Sequence, residues 1–171
     1  MKDFKLFLDL VRIKKPIGIM LLFWPCLWGL TLANDFANNN IKYVMHFVYF
    51  FLGSVLMRSA GCIVNDILDR KYDKLVERTK NRPIASGEVS TNLGLVYVII
   101  LCLLSFLILI QFNSVTIFLG LASMPFAFSY PLMKRYTYWP QLFLGFTFNY
   151  GLIMAWFSIN PQFSYIPLIL Y

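Results

Sequence analysis

Residues 58–90, RSAGCIVNDILDRKYDKLVERTKNRPIASGEVS, form the long polar interval of a chain otherwise built from apolar runs. A bilayer-spanning helix needs about 20 consecutive, mostly apolar residues, and the sequence on either side of this interval supplies such runs repeatedly. Toward the N-terminus lie 43–62 and 16–33, the latter opening at Pro16, a position that tolerates proline. Toward the C-terminus lie 93–110, 115–133 and 141–157, with Pro125 and Pro131 inside or ending the middle run, and a further apolar segment over 161–171. The chain therefore reads as all-α: a polytopic transmembrane helical bundle, one domain across 1–171, carrying an Asp-rich loop at 63–92.

Composition supports the same class. The 171 residues are 59% hydrophobic and 13% charged, with 17 Phe, 10 Tyr and 4 Trp, whereas a soluble domain is about 45–50% apolar and roughly 25% charged. A soluble chain of this length could not cover its core with so little polar surface, and high hydrophobicity with low charge per residue excludes disorder. The net charge of +7 is explained by membrane topology, since the basic residues flank the apolar runs, so no nucleic-acid partner is expected. Cys26, Cys62 and Cys102 lack metal-ligand or disulfide spacing and read as small buried hydrophobes. His46, the one histidine, opens an apolar run and reads as an interfacial or core residue. Before the first run, apolar residues at 4, 7, 8 and 11 suit a short amphipathic helix lying in the interface. No small-residue cleavage site is evident, so the first run reads as a retained helix.

The basic residues also set an orientation. Lys and Arg concentrate in the N-terminal segment, in the 63–92 loop and at Lys134 and Arg135, while the linkers at 34–42, 111–114 and 158–162 hold Lys42 alone. If each run crosses once, the three basic regions share one side. The positive-inside rule makes that side cytoplasmic, N-terminus included. The expected location is a bacterial inner membrane.

Within the loop, Asn65, Asp66, Asp69 and Asp73 recur at helical spacing. On a wheel with Arg58 at 0° they fall at roughly −20°, +80°, +20° and +60°, one broad face if the helix continues. A face with three carboxylates and an amide at a membrane boundary is costly unless a cation joins them, because the like charges repel. A hard divalent ion, Mg²⁺ or Mn²⁺, answers that need and would in turn hold a diphosphate. Arg58, Arg70, Lys71, Lys74, Arg78, Lys80 and Arg82 stand nearby to contact phosphate oxygens. A solvated, topogenic loop decorated with i,i+4 pairs is the competing reading of the same charges. Downstream, NRPIASGEVS reads as an extended turn in which Pro83 restrains Arg82, Gly87 relaxes the backbone and Ser90 caps the next helix.

The run Asn65, Asp66, Asp69 and Asp73, followed by Arg78, Asn81, Arg82 and Pro83, resembles the first aspartate-rich motif of the UbiA superfamily of intramembrane prenyltransferases. RIKKPIGIMLLFWPCLWGL, with Arg12, Pro16 and Gly18, resembles the first helix of that family, and FSYPLMKRYTYWPQLFLG resembles its basic turn after the fourth helix. The resemblance is strongest to members that prenylate 4-hydroxybenzoate. It implies a Mg²⁺-dependent enzyme of ubiquinone biosynthesis that takes two substrates, a polyprenyl diphosphate and 4-hydroxybenzoate. It further implies that Asp66, Asp69 and Asp73 hold metal and diphosphate, with Asn65 assisting. Arg78, Arg82, Lys134 and Arg135, followed by Arg58 and Arg12, become contacts for diphosphate or the aromatic carboxylate. Members that use other acceptors, of the menaquinone, haem O or tocopherol type, form the alternative, as does a non-catalytic fragment or transporter with an intramembrane ion site. Family members are longer and carry a second aspartate-rich motif after their sixth helix. Here the acids beyond Asp73 are Glu77 and Glu88, so the chain corresponds by resemblance to an N-terminal portion with half of a two-part site, expected to be inactive alone.

Overall fold

The computed structural model describes residues 2–37 and 40–171, excluding the side chains of residues 2, 3, 36, 37, 134 and 135. Its regular structure is helical: α1 (Lys2–Leu10), α2 (Ile17–Ala37), α3 (Asn40–Leu68), α4 (Arg70–Asp73), α5 (Pro83–Ser86), α6 (Thr91–Leu109), α7 (Ser114–Tyr136), α8 (Pro140–Ile159) and α9 (Ile166–Leu170). Among the described residues, five helices, α2, α3, α6, α7 and α8, are long and apolar enough to cross a membrane. The fold class is the expected one, a multi-pass helical bundle.

Local chemistry places the ends. Ser90 is extended, and its Oγ accepts from the Leu93 amide at 3.2 Å, capping α6. Asn113 does the same for α7, accepting from the Thr116 amide at 3.0 Å. The segment read as an extended turn contains one helical turn, α5. Pro83 supplies a preset φ at its first position, and Gly87 closes it in the left-handed region at φ 89°. Pro125 and Pro131 both lie inside α7.

The crossing helices form a ring. α2 packs on α8 and α3, α3 on α6, and α7 on α8, while α7 also touches α3 and α6. Close approach of α2 and α8 depends on glycine. A Cβ at Gly29 would stand 2.3 Å from the Leu152 carbonyl oxygen, and one at Gly151 would stand 2.4 Å from Cys26 Sγ. One core cluster joins α2, α3 and α8 through Phe23, Leu30, Phe50, Ile153 and Trp156. A second joins α1, α3, α5 and α6 through Leu10, Ala60, Ile63, Ile84 and Val98.

The two ends of the ring differ in chemistry. At one end, Asn113 Nδ2 donates to the carbonyls of Phe157 and Ser158, and Asn160 Nδ2 donates to the carbonyl of Ala33. His46, buried as expected, pairs with Ser158 Oγ through Nδ1 at 2.9 Å. The Asn113 bonds satisfy two of the last carbonyls of α8, and together these contacts tie α8 to α2, α3 and α7. At the other end α1, α4 and α5 gather beside the end of α3, and there the charged residues meet.

Candidate functional site

The helix carrying the motif is longer than the sequence reading placed it. α3 runs on through residues 63–68, so Asn65 and Asp66 occupy its last turn and the loop begins at Asp69. Burial explains the extension, because Ile63 is fully enclosed and Ile67 packs into the same cluster. Asp69 leaves helical geometry at φ −88°, ψ 2° but keeps the ladder on both sides. Its amide donates to the Asn65 carbonyl, and its carbonyl accepts from the Asp73 amide, each at 2.9 Å. The four motif residues therefore do not lie on one uninterrupted helix.

Asp66 is the most enclosed acid, with 2% of its side chain exposed. Its Oδ1 accepts from Arg12 Nη2 and, at 3.2 Å, from Arg82 Nη1. The same Arg82 nitrogen donates to Asp73 Oδ2 at 2.7 Å. One guanidinium thus bridges two motif acids, and a second reaches Asp66 from the turn after α1. Such pairing is what makes a buried carboxylate tolerable. Asp69 is half-buried and Arg78 exposed. Lys134 and Arg135 lie near the end of α7, and their side chains are outside the described residues.

A cavity of about 370 Å³ opens inside the ring, in the range of small-molecule sites, about 300–1,000 Å³. Asn65, Arg12, Arg58 and Arg82 line its polar end. Its walls continue past Ser54 and Tyr150 to Leu109, Gly120 and Phe112. Arg58 owes its place to Gly18, where a Cβ would lie 2.4 Å from the Arg58 Nε. Of the expected site residues, the structure brings four to the cavity and holds Asp66 and Asp73 against Arg82; Arg78 does not line it. Arg70 Nε is buried without a hydrogen-bond partner among the described residues, and a buried donor of this kind asks for an acceptor.

Sequence reasoning missed the cavity wall. A signal for part of it was present, since Ser54, Arg58, Gly61 and Asn65 recur every three or four residues in an otherwise apolar helix and line one face. The contributions of Tyr130, Thr147 and Tyr150 from α7 and α8 carried no such pattern.

For a divalent ion, the motif offers carboxylate and amide oxygens, the donors a hard cation takes. Among the described residues no three His, Cys, Asp or Glu side chains converge as a ligand set. Mg²⁺ is commonly held by one or two carboxylates, with water and phosphate oxygens completing its shell, so the donor set fits that ion in kind.

Comparison with known proteins places this architecture. A mitochondrial 4-hydroxybenzoate polyprenyltransferase of Caenorhabditis elegans is 41% identical over 162 residues, covering 95% of this chain and 45% of that protein. A 4-hydroxybenzoate octaprenyltransferase of Hydrogenovibrio crunogenus is 44% identical over 156 residues, covering 91% of this chain and 53% of its own length. One of Pseudomonas fluorescens is 46% identical over 149 residues, with 87% and 49% covered. The chain thus spans about half the length of the curated relatives it matches. A solved structure described as a digeranylgeranylglyceryl phosphate synthase in membranes superposes with a TM-score of 0.73 at 20% identity, over 94% of this chain and 56% of that one, a likeness of fold. The model of the UbiA prenyltransferase family matches residues 22–171, and the chain belongs to that family.

Proposed function

We propose that this chain forms the N-terminal part of a Mg²⁺-dependent prenyltransferase that moves a polyprenyl group from its diphosphate to the ring of 4-hydroxybenzoate, on the route to ubiquinone. The observation that carries the reading is the cavity: three guanidiniums and an amide at one end beside the aspartates, and largely apolar walls beyond. An amphiphile with an anionic head and a hydrocarbon tail matches that gradient. The names of the relatives supply the acceptor.

In this reading Asp69 and Asp73, with the Asn65 amide, would hold the metal, which when bound neutralises charge on the diphosphate and improves it as a leaving group. Arg82, and Arg58 or Arg12 beside it, orient the anionic groups through charge-assisted hydrogen bonds. Arg78, Lys134 and Arg135 remain candidate contacts at the same end. The allylic carbon–oxygen bond breaks and diphosphate departs with the electron pair. The ring carbon meta to the carboxylate, activated by the adjacent hydroxyl, forms the new carbon–carbon bond and loses its proton. The apolar wall keeps water from the allylic centre. We also place the acidic end on the cytoplasmic side of a bacterial inner membrane, a placement supported by the basic bias of that end.

The test uses a chimera joining residues 1–171 to the remaining half of the Hydrogenovibrio relative, in membranes supplied with labelled polyprenyl diphosphate and candidate acceptors. Mg²⁺-dependent labelling of 4-hydroxybenzoate, lost in Asp69→Ala with insertion preserved, is the expected result. Turnover of another acceptor alone would overturn the substrate assignment, and turnover unchanged by Asp69→Ala would overturn the metal role.

A further inference from the structure

Asp66 differs from the other motif acids in its surroundings. Its side chain is 2% exposed, and two guanidiniums close on a single oxygen, Oδ1. Arg82 arrives from the residue before α5, and Arg12 from the turn between α1 and α2. Arg12 is, among the described residues, the non-glycine residue with positive φ, at 55°. A side chain holds that conformation only where its surroundings enforce it. Here the enforcing contacts are visible: Leu10 and Val11 are buried just before it, and its guanidinium is anchored on Asp66.

A carboxylate this enclosed, with one oxygen already shared between two guanidiniums, is poorly placed to coordinate Mg²⁺, which keeps several waters and a near-octahedral shell. Losing either guanidinium would leave a buried charge undercompensated. We infer that Asp66 is a positioning residue, a buried clasp drawing Arg12 and Arg82, and with them α1 and α5, onto the end of α3, and that metal in the proposed site is held without it. The ligand half of this inference rests on the metal–diphosphate reading, whereas the clasp stands on the ion pairs.

Two measurements on the purified chain in detergent separate these parts: backbone hydrogen exchange across α1, and Mn²⁺ binding by electron paramagnetic resonance. Asp66→Asn preserves shape and removes charge. It should speed α1 exchange at least about tenfold, leave exchange in α7 and α8 unchanged, and keep Mn²⁺ affinity within about threefold of the parent. Arg12→Gln should release α1 to the same degree, and Arg12→Lys should restore protection, a charge dependence that simple packing would not produce. Asp69→Asn should weaken Mn²⁺ binding by more than about tenfold without releasing α1. Mn²⁺ binding lost as fully in Asp66→Asn as in Asp69→Asn would make Asp66 a ligand and overturn the inference. Unchanged α1 exchange in both Asp66→Asn and Arg12→Gln would overturn the clasp. Unchanged Mn²⁺ binding in Asp69→Asn would instead overturn the metal site, with the exchange data still deciding the clasp.

Discussion

At the scale of single residues, placement follows from what each side chain must avoid. Gly18 leaves room for the Arg58 guanidinium, and a methyl there would meet it at 2.4–2.9 Å. The obstructing atoms are the far end of a flexible side chain, so Gly18→Ala should change thermal stability by less than about 1 kcal/mol. It should nevertheless displace Arg58 from the cavity and, if the proposed function holds, weaken binding of an aromatic carboxylate, measured by titration with 4-hydroxybenzoate alongside a melting curve. Ser158 lies fully buried at the other end of the ring. Its hydroxyl donates to the Ala155 carbonyl at 2.8 Å and accepts from His46 Nδ1. Ser158→Ala would strand that nitrogen and is expected to cost about 1–3 kcal/mol, read as a lower midpoint in detergent. His46 as a core residue was legible from its place in an apolar run. Its partner, 112 positions away, was not.

At the scale of elements, the sequence reading located the crossing helices and misjudged their ends. The acidic residues after position 62 argued for a loop, yet α3 continues to Leu68 because Ile63 is buried, Ile67 packs partly buried against the same cluster, and Asp66 is compensated by guanidiniums from outside the helix. Hydropathy along the chain carries no record of such compensation. Ser90 at the start of α6 was legible because a cap is a local device. The contact of α2 with α8 is the element-scale feature most open to test. Gly29→Ala drives a methyl into a backbone carbonyl, which cannot swing aside as a side chain would. Overpacking of this kind is expected to cost about 1–3 kcal/mol. Gly145→Ala, in the same helix as Leu152 but with open space around its Cβ position, should be neutral or stabilising by up to about 1 kcal/mol. Thermal unfolding of the two variants in one detergent checks the pair.

At the scale of the whole molecule, α6 lies between residues 74 and 111 and is long and apolar enough to cross a membrane, so its crossing would set those residues on opposite faces. In the orientation and bacterial membrane proposed above, a cysteine replacing Gln111 should react with an impermeant maleimide added outside intact cells. One replacing Lys74 should react only after the membrane is opened; the reverse pattern would invert the topology. The sequence by itself determined the helical class, the number of crossings, the polar interval and the motif, because each is written in neighbours a few residues apart: hydropathy over about 20 positions and helical spacing over three or four. Tertiary structure alone decided which acids are sealed, which guanidiniums seal them and what shape the cavity takes. Arg12 and Asp66 stand 54 residues apart, and they meet because glycine-mediated packing and two separate cores set the helices at fixed positions. The strength of an ion pair depends on that separation and on the water excluded around it, and neither quantity is a property of local sequence.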